Sequence, residues 1–296
     1  MIRKLRACAI LFALLIVIGS ISASAFPTEK TTEPQKLKIA GLDVAAWFPK
    51  HGTPGPWPVI IFSHGFHGCN TQSLYLMTAL SQAGYAIFAP NHHDAVCLGT
   101  GRLGKRFTRP IVAFQDAHGW SDKTYADRDQ DIEKLLNALE SDPHYKSSPF
   151  DLKHVGLVGH SLGGYTVLGV AGAWPKWKDP RVKAVLALSP YTNPFLLNKT
   201  LGGLDAPVMY QGGTKDFGIT PFITKPDGAY AESPAPKYLV VFDGAGHLAW
   251  TDARDTFHPS IDEYSRAFLD RYLKHKTFPA PLTKKHGDVG TFERKQ

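Results

Sequence analysis

Beyond its first 25 residues, the sequence lacks any apolar run long enough to span a membrane. It also lacks internal repeats, coiled-coil patterns and nucleic-acid-binding motifs. Charged residues make up 20% and hydrophobic residues 43% of the 296-residue chain, which is typical of a globular protein and gives no sign of disorder. Without residues 1–25, which hold three of the 33 basic and none of the 26 acidic residues, the net charge falls from +7 to +4. A charge this small does not indicate nucleic-acid binding.

The first 25 residues have the composition of a secretory signal peptide. A basic start, "MIRKLR", is followed by the apolar "ACAILFALLIVIG" and the small residues "SISASA". Ala23 and Ala25 form an A-x-A site, so we predict cleavage after Ala25 and a secreted or periplasmic protein. An uncleaved membrane anchor is the alternative, but the apolar run is shorter than the roughly 20 residues that a spanning helix needs. No cysteine stands at the cleavage site, which argues against a lipoprotein anchor.

Strands and helices alternate along the chain after a short polar arm, residues 26–36. Apolar, β-branched runs such as "WPVIIFSHG" (57–65) are typical of buried parallel strands, and segments with helical periodicity separate them. This alternation predicts one α/β domain over 37–296, with a mostly parallel sheet of about eight strands and helices on both faces. Residues 95–126 lack clear periodicity and are predicted to be an insertion or a partial lid.

A serine stands between glycines directly after one of the predicted strands. Gly159-His160-Ser161-Leu162-Gly163 matches G-x-S-x-G, follows the strand "HVGLVG" and precedes a predicted helix. This is the context of a nucleophile elbow, a strained turn in which bulky neighbours of the serine would clash. In such a sheet, ligands bind at the carboxyl ends of the strands, where this serine lies. Ser161 is therefore the predicted nucleophile, and a glycine-rich turn with a capping serine is the alternative.

A serine hydroxyl needs a histidine as base, and in this arrangement the histidine comes last in the chain order Ser, Asp or Glu, His. His247, in "VVFDGAGHLAW", lies in the loop just past the last core strand and is the predicted base. Three other histidines lie downstream of the serine, beside the last helix or in the tail: His258, His275 and His286. Their positions do not match the expected loop.

The acid that orients this histidine is expected just after the preceding strand. Asp216 follows the strand "APVMYQGG" and is the predicted acid, while Asp227, deeper in the same loop, is the reserve candidate. Asp205 precedes the strand and lies on the wrong side of the sheet. Asp243, four residues from His247, is better interpreted as a turn former.

Two backbone N–H groups are predicted to stabilise the negative charge that develops on a substrate carbonyl oxygen. One belongs to Leu162, directly after the nucleophile. The other is expected in the loop "SHGFHG" after the third strand, where glycines let the backbone turn towards the nucleophile, and Phe66 is the preferred residue. The alternative is an ordinary glycine-rich turn.

Taken together, "FSHGFHG", "GHSLGG", "GGTKD" and "GAGH" resemble the α/β-hydrolase superfamily over about residues 37–275. Within it, the chain is similar to the dienelactone hydrolase-like group, which grades into platelet-activating-factor acetylhydrolase-like esterases, polyester hydrolases and chlorophyllases. The resemblance implies an α/β-hydrolase fold and an ester hydrolase. Dienelactone hydrolases proper carry a cysteine nucleophile, so Ser161 argues against dienelactone chemistry.

Cys69 and Cys97 are the only cysteines beyond residue 25. If the strands before them are neighbours, as the fold predicts, both cysteines lie above the same sheet edge. We therefore predict a disulfide between them, as suits an exported protein. In the chain-entropy model, a loop of this length corresponds to roughly 3–4 kcal/mol of stabilisation.

Five potential metal ligands follow the same two strands: His64, His67, His92, His93 and Asp94. A metal site is one interpretation of this cluster. The preferred interpretation is that the first two histidines shape the oxyanion loop and the next two line the cleft. We therefore expect neither a metal nor an organic cofactor.

The sequence predicts a secreted serine hydrolase that cleaves carboxylic esters through an acyl-enzyme. An acyltransferase using the same three residues and a non-catalytic ligand-binding protein of the same fold are the alternatives. The expected partner is a small-molecule, lipid or polyester ester, with no nucleic acid. Binding to a membrane surface is compatible with the sequence but not required, and neither the acyl chain length nor the oligomeric state follows from it.

Overall fold

A twisted sheet forms the centre of the protein in the computed structural model, which describes residues 33–96, 109–285 and 287–296. In this part of the chain, nine strands form it: β1 (Gln35–Ile39), β2 (Leu42–Trp47), β3 (Trp57–Ser63), β4 (Ala86–Pro90), β5 (Phe150–His160), β6 (Val182–Leu188), β7 (Val208–Gly213), β8 (Lys237–Phe242) and β9 (Val289–Lys295). Their order in the sheet is β1-β2-β4-β3-β5-β6-β7-β8-β9.

The strands from β4 to β8 pair in parallel, and antiparallel pairs lie only at the two edges. β2 pairs with β4 and β1 with β2 at one edge, and β9 pairs with β8 at the other. The mostly parallel sheet confirms the predicted fold class. Strand β9 was not predicted, because "VGTFERK" is an exposed edge strand with no buried, β-branched run to mark it.

In chain order, the helices come between the strands. They are α1 (Leu74–Gln82), α2 (Ala126–Ser141), α3 (Pro143–Lys146), α4 (Leu162–Leu168), α5 (Asn193–Asn198), α6 (Thr220–Thr224), α7 (Ala229–Glu232) and α8 (His258–Leu273). A π-helical turn, Gly169–Ala173, extends α4, and short 3₁₀ turns cover Ala117–Gly119, Leu201–Gly203, His247–Trp250 and Ala280–Leu282. Across the described ranges, every helix is too short or too polar to cross a membrane.

The sheet has an apolar core layer on each of its two faces, and β3 is buried because it contributes side chains to both layers. Val59 and Ile61 belong to a buried cluster with the apolar residues of α2 and α4. Ile60 and Phe62 belong to a second cluster with those of α1 and α8. Successive side chains of a strand point to opposite faces, so the continuous run "VIIF" supplies both layers at once. This is why the strand reads as uniformly apolar, and it confirms the predicted helices on both faces.

The N-terminal predictions concern residues that are largely undescribed. The signal peptide, 1–25, and the start of the arm, 26–36, lie outside the described residues, while the end of the arm already belongs to β1. Most of the predicted insertion before residue 109 also lies outside them. Its later part packs onto the sheet edge, since the Tyr191 hydroxyl donates to the Phe114 carbonyl oxygen over 2.8 Å.

Candidate active site

Ser161 occupies a sharp turn between β5 and α4, at the carboxyl edge of the sheet. Its φ of 56° and ψ of −115° are strained for a residue with a side chain. A Cβ added at Gly159 would lie 2.2 Å from the Gly163 carbonyl oxygen, and one added at Gly163 would lie 1.9 Å from the Ser63 carbonyl oxygen. The glycines of the motif are therefore required by close backbone contact, and the elbow geometry follows from them.

His247 and Asp216 join Ser161 in one hydrogen-bonded chain. The Ser161 hydroxyl lies 2.9 Å from His247 Nε2, and His247 Nδ1 lies 2.9 Å from Asp216 Oδ2. An ionised carboxylate only accepts, so the Nδ1–H donates to it and leaves the Nε2 lone pair facing the serine hydroxyl. Asp216 follows β7 and is buried, whereas His247 follows β8 and its side chain is 36% exposed. The three residues chosen from the sequence are thus brought together.

The other sequence candidates lie elsewhere. Asp227 is paired with Lys225 on the surface, and Asp205 is paired with Lys178. Asp243 lies against Gly290 of β9, since a Cβ built on Gly290 would lie 2.2 Å from Asp243 Oδ1.

The remaining downstream histidines are also accounted for. His258 stacks on the Tyr75 ring and its Nε2 contacts the Thr251 carbonyl oxygen over 3.1 Å. His275 Nε2 lies 3.0 Å from His154 Nε2 at the end of α8. His286 lies outside the described residues.

Ser189 is a site residue that the sequence analysis missed. It directly follows β6, has a positive φ of 44°, and its hydroxyl donates to Asp216 Oδ2. The same hydroxyl lies 3.0 Å from His247 Nδ1. Its one sequence signal is its place: a small polar residue at the end of the strand between the serine strand and the acid strand. Ser189 therefore links the end of β6 to both Asp216 and His247.

The loop after β3 lies beside the serine. Gly68 N–H donates to the Gly65 carbonyl oxygen over 3.0 Å, closing a tight turn that holds Phe66. A Cβ added at Gly65 would lie 3.5 Å from Ser161 Cβ, so the backbone before Phe66 runs next to the nucleophile. On the other side, Leu162 is the first residue of α4, whose N–H has no partner within the helix. The loop that contains Phe66 and the first residue of α4, Leu162, therefore both lie next to Ser161, and an oxyanion hole formed by their N–H groups stays a prediction.

A buried arginine binds the backbone of the loop after β3, residues 64–68, which is the predicted oxyanion loop. Arg128 Nη1 donates to the His64 carbonyl oxygen over 2.7 Å, and Nη2 donates to the Gly65 carbonyl oxygen over 3.3 Å. The same guanidinium binds both carboxylate oxygens of Asp94, at 2.9 and 2.8 Å. Burial alone would raise the pKa of Asp94, but Arg128 outweighs it and lowers that pKa to about 2. The ion pair is therefore charged at neutral pH.

Three of the five potential ligands, His64, His92 and Asp94, belong to this buried network, whereas His93 is exposed and its Nδ1 contacts Asp127. His64 Nδ1–H donates to the Gly65 carbonyl oxygen, while His92 lies between the Ser63 hydroxyl and Asp131, at 2.9 Å from each. Burial, and then the charge of Arg128, hold the pKa of both histidines well below the usual range. Within residues 33–96, 109–285 and 287–296, no three His, Cys, Asp or Glu side chains are placed to hold a metal ion.

Cys69 is buried and forms no disulfide within the described residues, and its Sγ lies 3.3 Å from the Thr71 hydroxyl. Its predicted partner, Cys97, lies outside the described residues. The strands before the two cysteines, β3 and β4, are indeed parallel neighbours. The structure does not show the disulfide, which stays a prediction.

The sequence model of the dienelactone hydrolase family matches residues 43–274, well over half of the chain. The matched range includes every strand from β3 to β8 and all three residues of the hydrogen-bonded chain. No curated protein matches the sequence.

Proposed function

Because the chain belongs to the dienelactone hydrolase family, we propose that it is a serine hydrolase that cleaves carboxylic esters through an acyl-enzyme. The family indicates a hydrolase that acts on esters, and the nine-stranded sheet with its helices is an α/β-hydrolase fold. The observation that carries the finer proposal is the chain from the Ser161 hydroxyl through His247 to Asp216, with both contacts at 2.9 Å. This arrangement is the one that turns a serine hydroxyl into a nucleophile.

In the proposed reaction, Ser161 Oγ attacks the ester carbonyl carbon while His247 Nε2 takes the hydroxyl proton. Asp216 holds the imidazole in the required tautomer and stabilises the imidazolium that forms. The carbonyl oxygen becomes negative and accepts from the N–H groups of Phe66 and Leu162. His247 then gives its proton to the departing alcohol, which leaves the acyl group on Ser161. Water, activated by His247, attacks this ester in the second half of the reaction and releases the acid.

Solvent access favours hydrolysis over acyl transfer. The side chain of His247 is 36% exposed, so water reaches the base that must activate it. The nucleophile is a serine, and this supports simple carboxylic esters rather than dienelactones as substrates.

Two exposed apolar side chains support an ester with an apolar part. Phe217 and Leu248 directly follow Asp216 and His247 in the sequence, and they are 79% and 51% exposed. Their places beside the proposed acid and base are what support contact with an apolar part of the ligand. We therefore propose lipid, polyester or small apolar esters as the substrate class, in line with a platelet-activating-factor acetylhydrolase-like or polyester hydrolase-like activity.

We further propose that the mature protein begins after Ala25 and acts outside the cytoplasm. The support is the basic, apolar and small-residue order of residues 1–25. N-terminal sequencing of the protein recovered from the medium or periplasm would test this proposal. A mature N-terminus at Phe26 is the expected result, and a retained N-terminus would refute it.

The test of the enzymatic proposal is a fluorophosphonate label combined with p-nitrophenyl esters of increasing acyl length. The wild type should be labelled on Ser161 and should hydrolyse at least the short esters. Ser161→Ala should lose labelling and about a millionfold in kcat, the order of magnitude found for removal of a serine nucleophile, while keeping its melting temperature. Ser141→Ala, on the exposed end of α2, is the matched control and should behave as wild type. Turnover by Ser161→Ala at the wild-type rate would refute the proposal.

A further inference from the structure

A row of hydrogen bonds joins the oxyanion loop to the backbone of the histidine base. The Gly65 N–H donates to Gln72 Oε1, and Gln72 Nε2 donates to His160 Nδ1, both over 3.0 Å. His160 Nε2 in turn lies 2.9 Å from the His247 carbonyl oxygen. The row starts one residue before Phe66, passes beside the nucleophile and ends on His247 itself.

The chemistry of the row allows one arrangement of protons. The Gln72 amide uses its oxygen for the Gly65 N–H, so its NH₂ group faces His160 Nδ1, which must accept. The His247 carbonyl only accepts, so His160 Nε2 must carry the proton. Both requirements are met by the neutral Nε2–H tautomer of His160. The ring is buried, and this burial, followed by the charge of His247, lowers the pKa of His160 to about 3. It therefore stays neutral in the range where His247 must work as a base.

We propose that Gln72 and His160 are positioning residues that hold His247 at a fixed place relative to the oxyanion loop. The inference rests on the proposed function and adds to it a link between the two halves of the machinery. Proton transfer and charge stabilisation occur on opposite sides of Ser161, and small misplacements of reacting groups cost large factors in rate. Gln72 contacts the loop of Phe66 and His160 contacts His247, so the hydrogen bond between these two side chains fixes the separation of the two sides.

Other contacts between the same two loops allow the row to be removed without unfolding them. The Ser73 hydroxyl donates to the Trp250 carbonyl oxygen over 2.7 Å. The Asp252 carboxylate accepts from the N–H groups of Leu74 and Tyr75 at 2.7 and 3.0 Å. These contacts hold the start of α1 against the loop after β8, yet they do not involve His160. Ser73 therefore offers a control that breaks a buried contact between the loops but leaves the row intact.

The experiment compares four variants by kcat and KM on a p-nitrophenyl ester and by melting temperature. His160→Leu and Gln72→Leu remove the row and should lower kcat about ten- to a hundredfold, with KM within about twofold of wild type. His160→Gln keeps an N–H donor and an acceptor and should recover kcat to within about threefold. Ser73→Ala should lower the melting temperature but leave kcat within about twofold. Leucine variants that lose no more kcat than Ser73→Ala would overturn the proposal.

A measurement without substrate separates this proposal from the enzymatic one. ¹⁵N NMR of the histidine rings reports which nitrogen carries the proton. At neutral pH we expect His160 as the Nε2–H tautomer, and we expect the ring signals of His247 to change in His160→Leu but not in Ser73→Ala. A proton on His160 Nδ1, or His247 signals that are the same in all variants, would refute the positioning role. A wild type that hydrolyses no ester would refute the proposed function. The tautomer of His160 would still show whether the row of hydrogen bonds forms.

Discussion

Replacing Arg128 by methionine tests how the protein supports its oxyanion loop. The guanidinium is buried, and so is the Asp94 carboxylate that it binds through two oxygens. Methionine keeps the unbranched stem but removes every donor. Asp94 then remains as a buried charge without a cation, and the carbonyl oxygens of His64 and Gly65 lose a donor.

The expected cost is large because one partner of a buried pair is left behind. Removing one member of such a pair typically destabilises a protein by about 3–5 kcal/mol, mostly through the uncompensated charge. We expect Arg128→Met to lower the free energy of unfolding by this amount in urea titrations. Arg128→Met combined with Asp94→Asn removes the charge at constant side-chain volume and should recover at least about half of the loss. Both variants should have a lower kcat than wild type, because Arg128 holds the loop that carries Phe66 through the carbonyl oxygens of His64 and Gly65.

The pH dependence gives a second check with a definite sign. In the wild type, the pKa of Asp94 is lowered to about 2, so the pair contributes stability that is complete above the ordinary value of 3.8 and is lost as pH falls through about 2. Without Arg128, burial raises the pKa of Asp94, so protonation removes the unpaired charge at a higher pH. The difference in the free energy of unfolding between wild type and Arg128→Met should therefore become smaller as the pH is lowered from neutral to about 5. A cost below about 1 kcal/mol, or a double variant as unstable as the single one, would refute the reasoning.

Three further predictions concern the site and its surroundings. Ser189→Ala removes the hydroxyl that donates to the buried Asp216. Since hydrogen bonds to charged groups contribute about 1.5–3 kcal/mol, kcat/KM should fall roughly ten- to a hundredfold, and an unchanged kcat/KM would contradict the role assigned to Ser189. Phe217→Ser and Leu248→Ser should lose activity on long-chain p-nitrophenyl esters and keep it on p-nitrophenyl acetate. An equal loss of activity on the long-chain esters and on the acetate would exclude a role of these side chains in binding the apolar part of the substrate. Alkylation of the mature protein without reductant should leave its mass unchanged if Cys69 and Cys97 form the predicted disulfide, whereas two labelled thiols would exclude that bond.

Ser161, Asp216 and His247 could be chosen from the sequence because each follows a predicted strand of the parallel sheet. Every strand from β3 to β8 ends at the same edge, so a polar residue just after such a strand lies at the site whichever strand it follows. Chain order then separated His247 from the histidines near α8. The glycines around Ser161 carried further information, since the backbone contacts of the elbow exclude any side chain there.

The supporting residues had no such signature. Ser189, Gln72 and His160 act through contacts between loops that are far apart in the chain, and each is a common residue type with no fixed spacing to its partner. Arg128 is one of several charged residues in the sequence of α2, and only the structure shows that it is buried and paired with Asp94. His64 and His92 were also candidate metal ligands, because their places after β3 and β4 do not show that their nitrogens contact backbone and hydroxyl groups.

The sequence by itself predicted the mostly parallel sheet, apart from β9, and singled out Ser161, Asp216 and His247, which the structure joins by hydrogen bonds. It did so because apolar periodicity, glycine and chain order are local or one-dimensional properties. Only the tertiary structure decided which polar side chains meet across loops, which of them are buried and neutral, and how the oxyanion loop is held to His247. Those features depend on distances between segments up to about 180 residues apart, such as Ser73 and Trp250, and on the loss of water around them, neither of which is written in the order of residues.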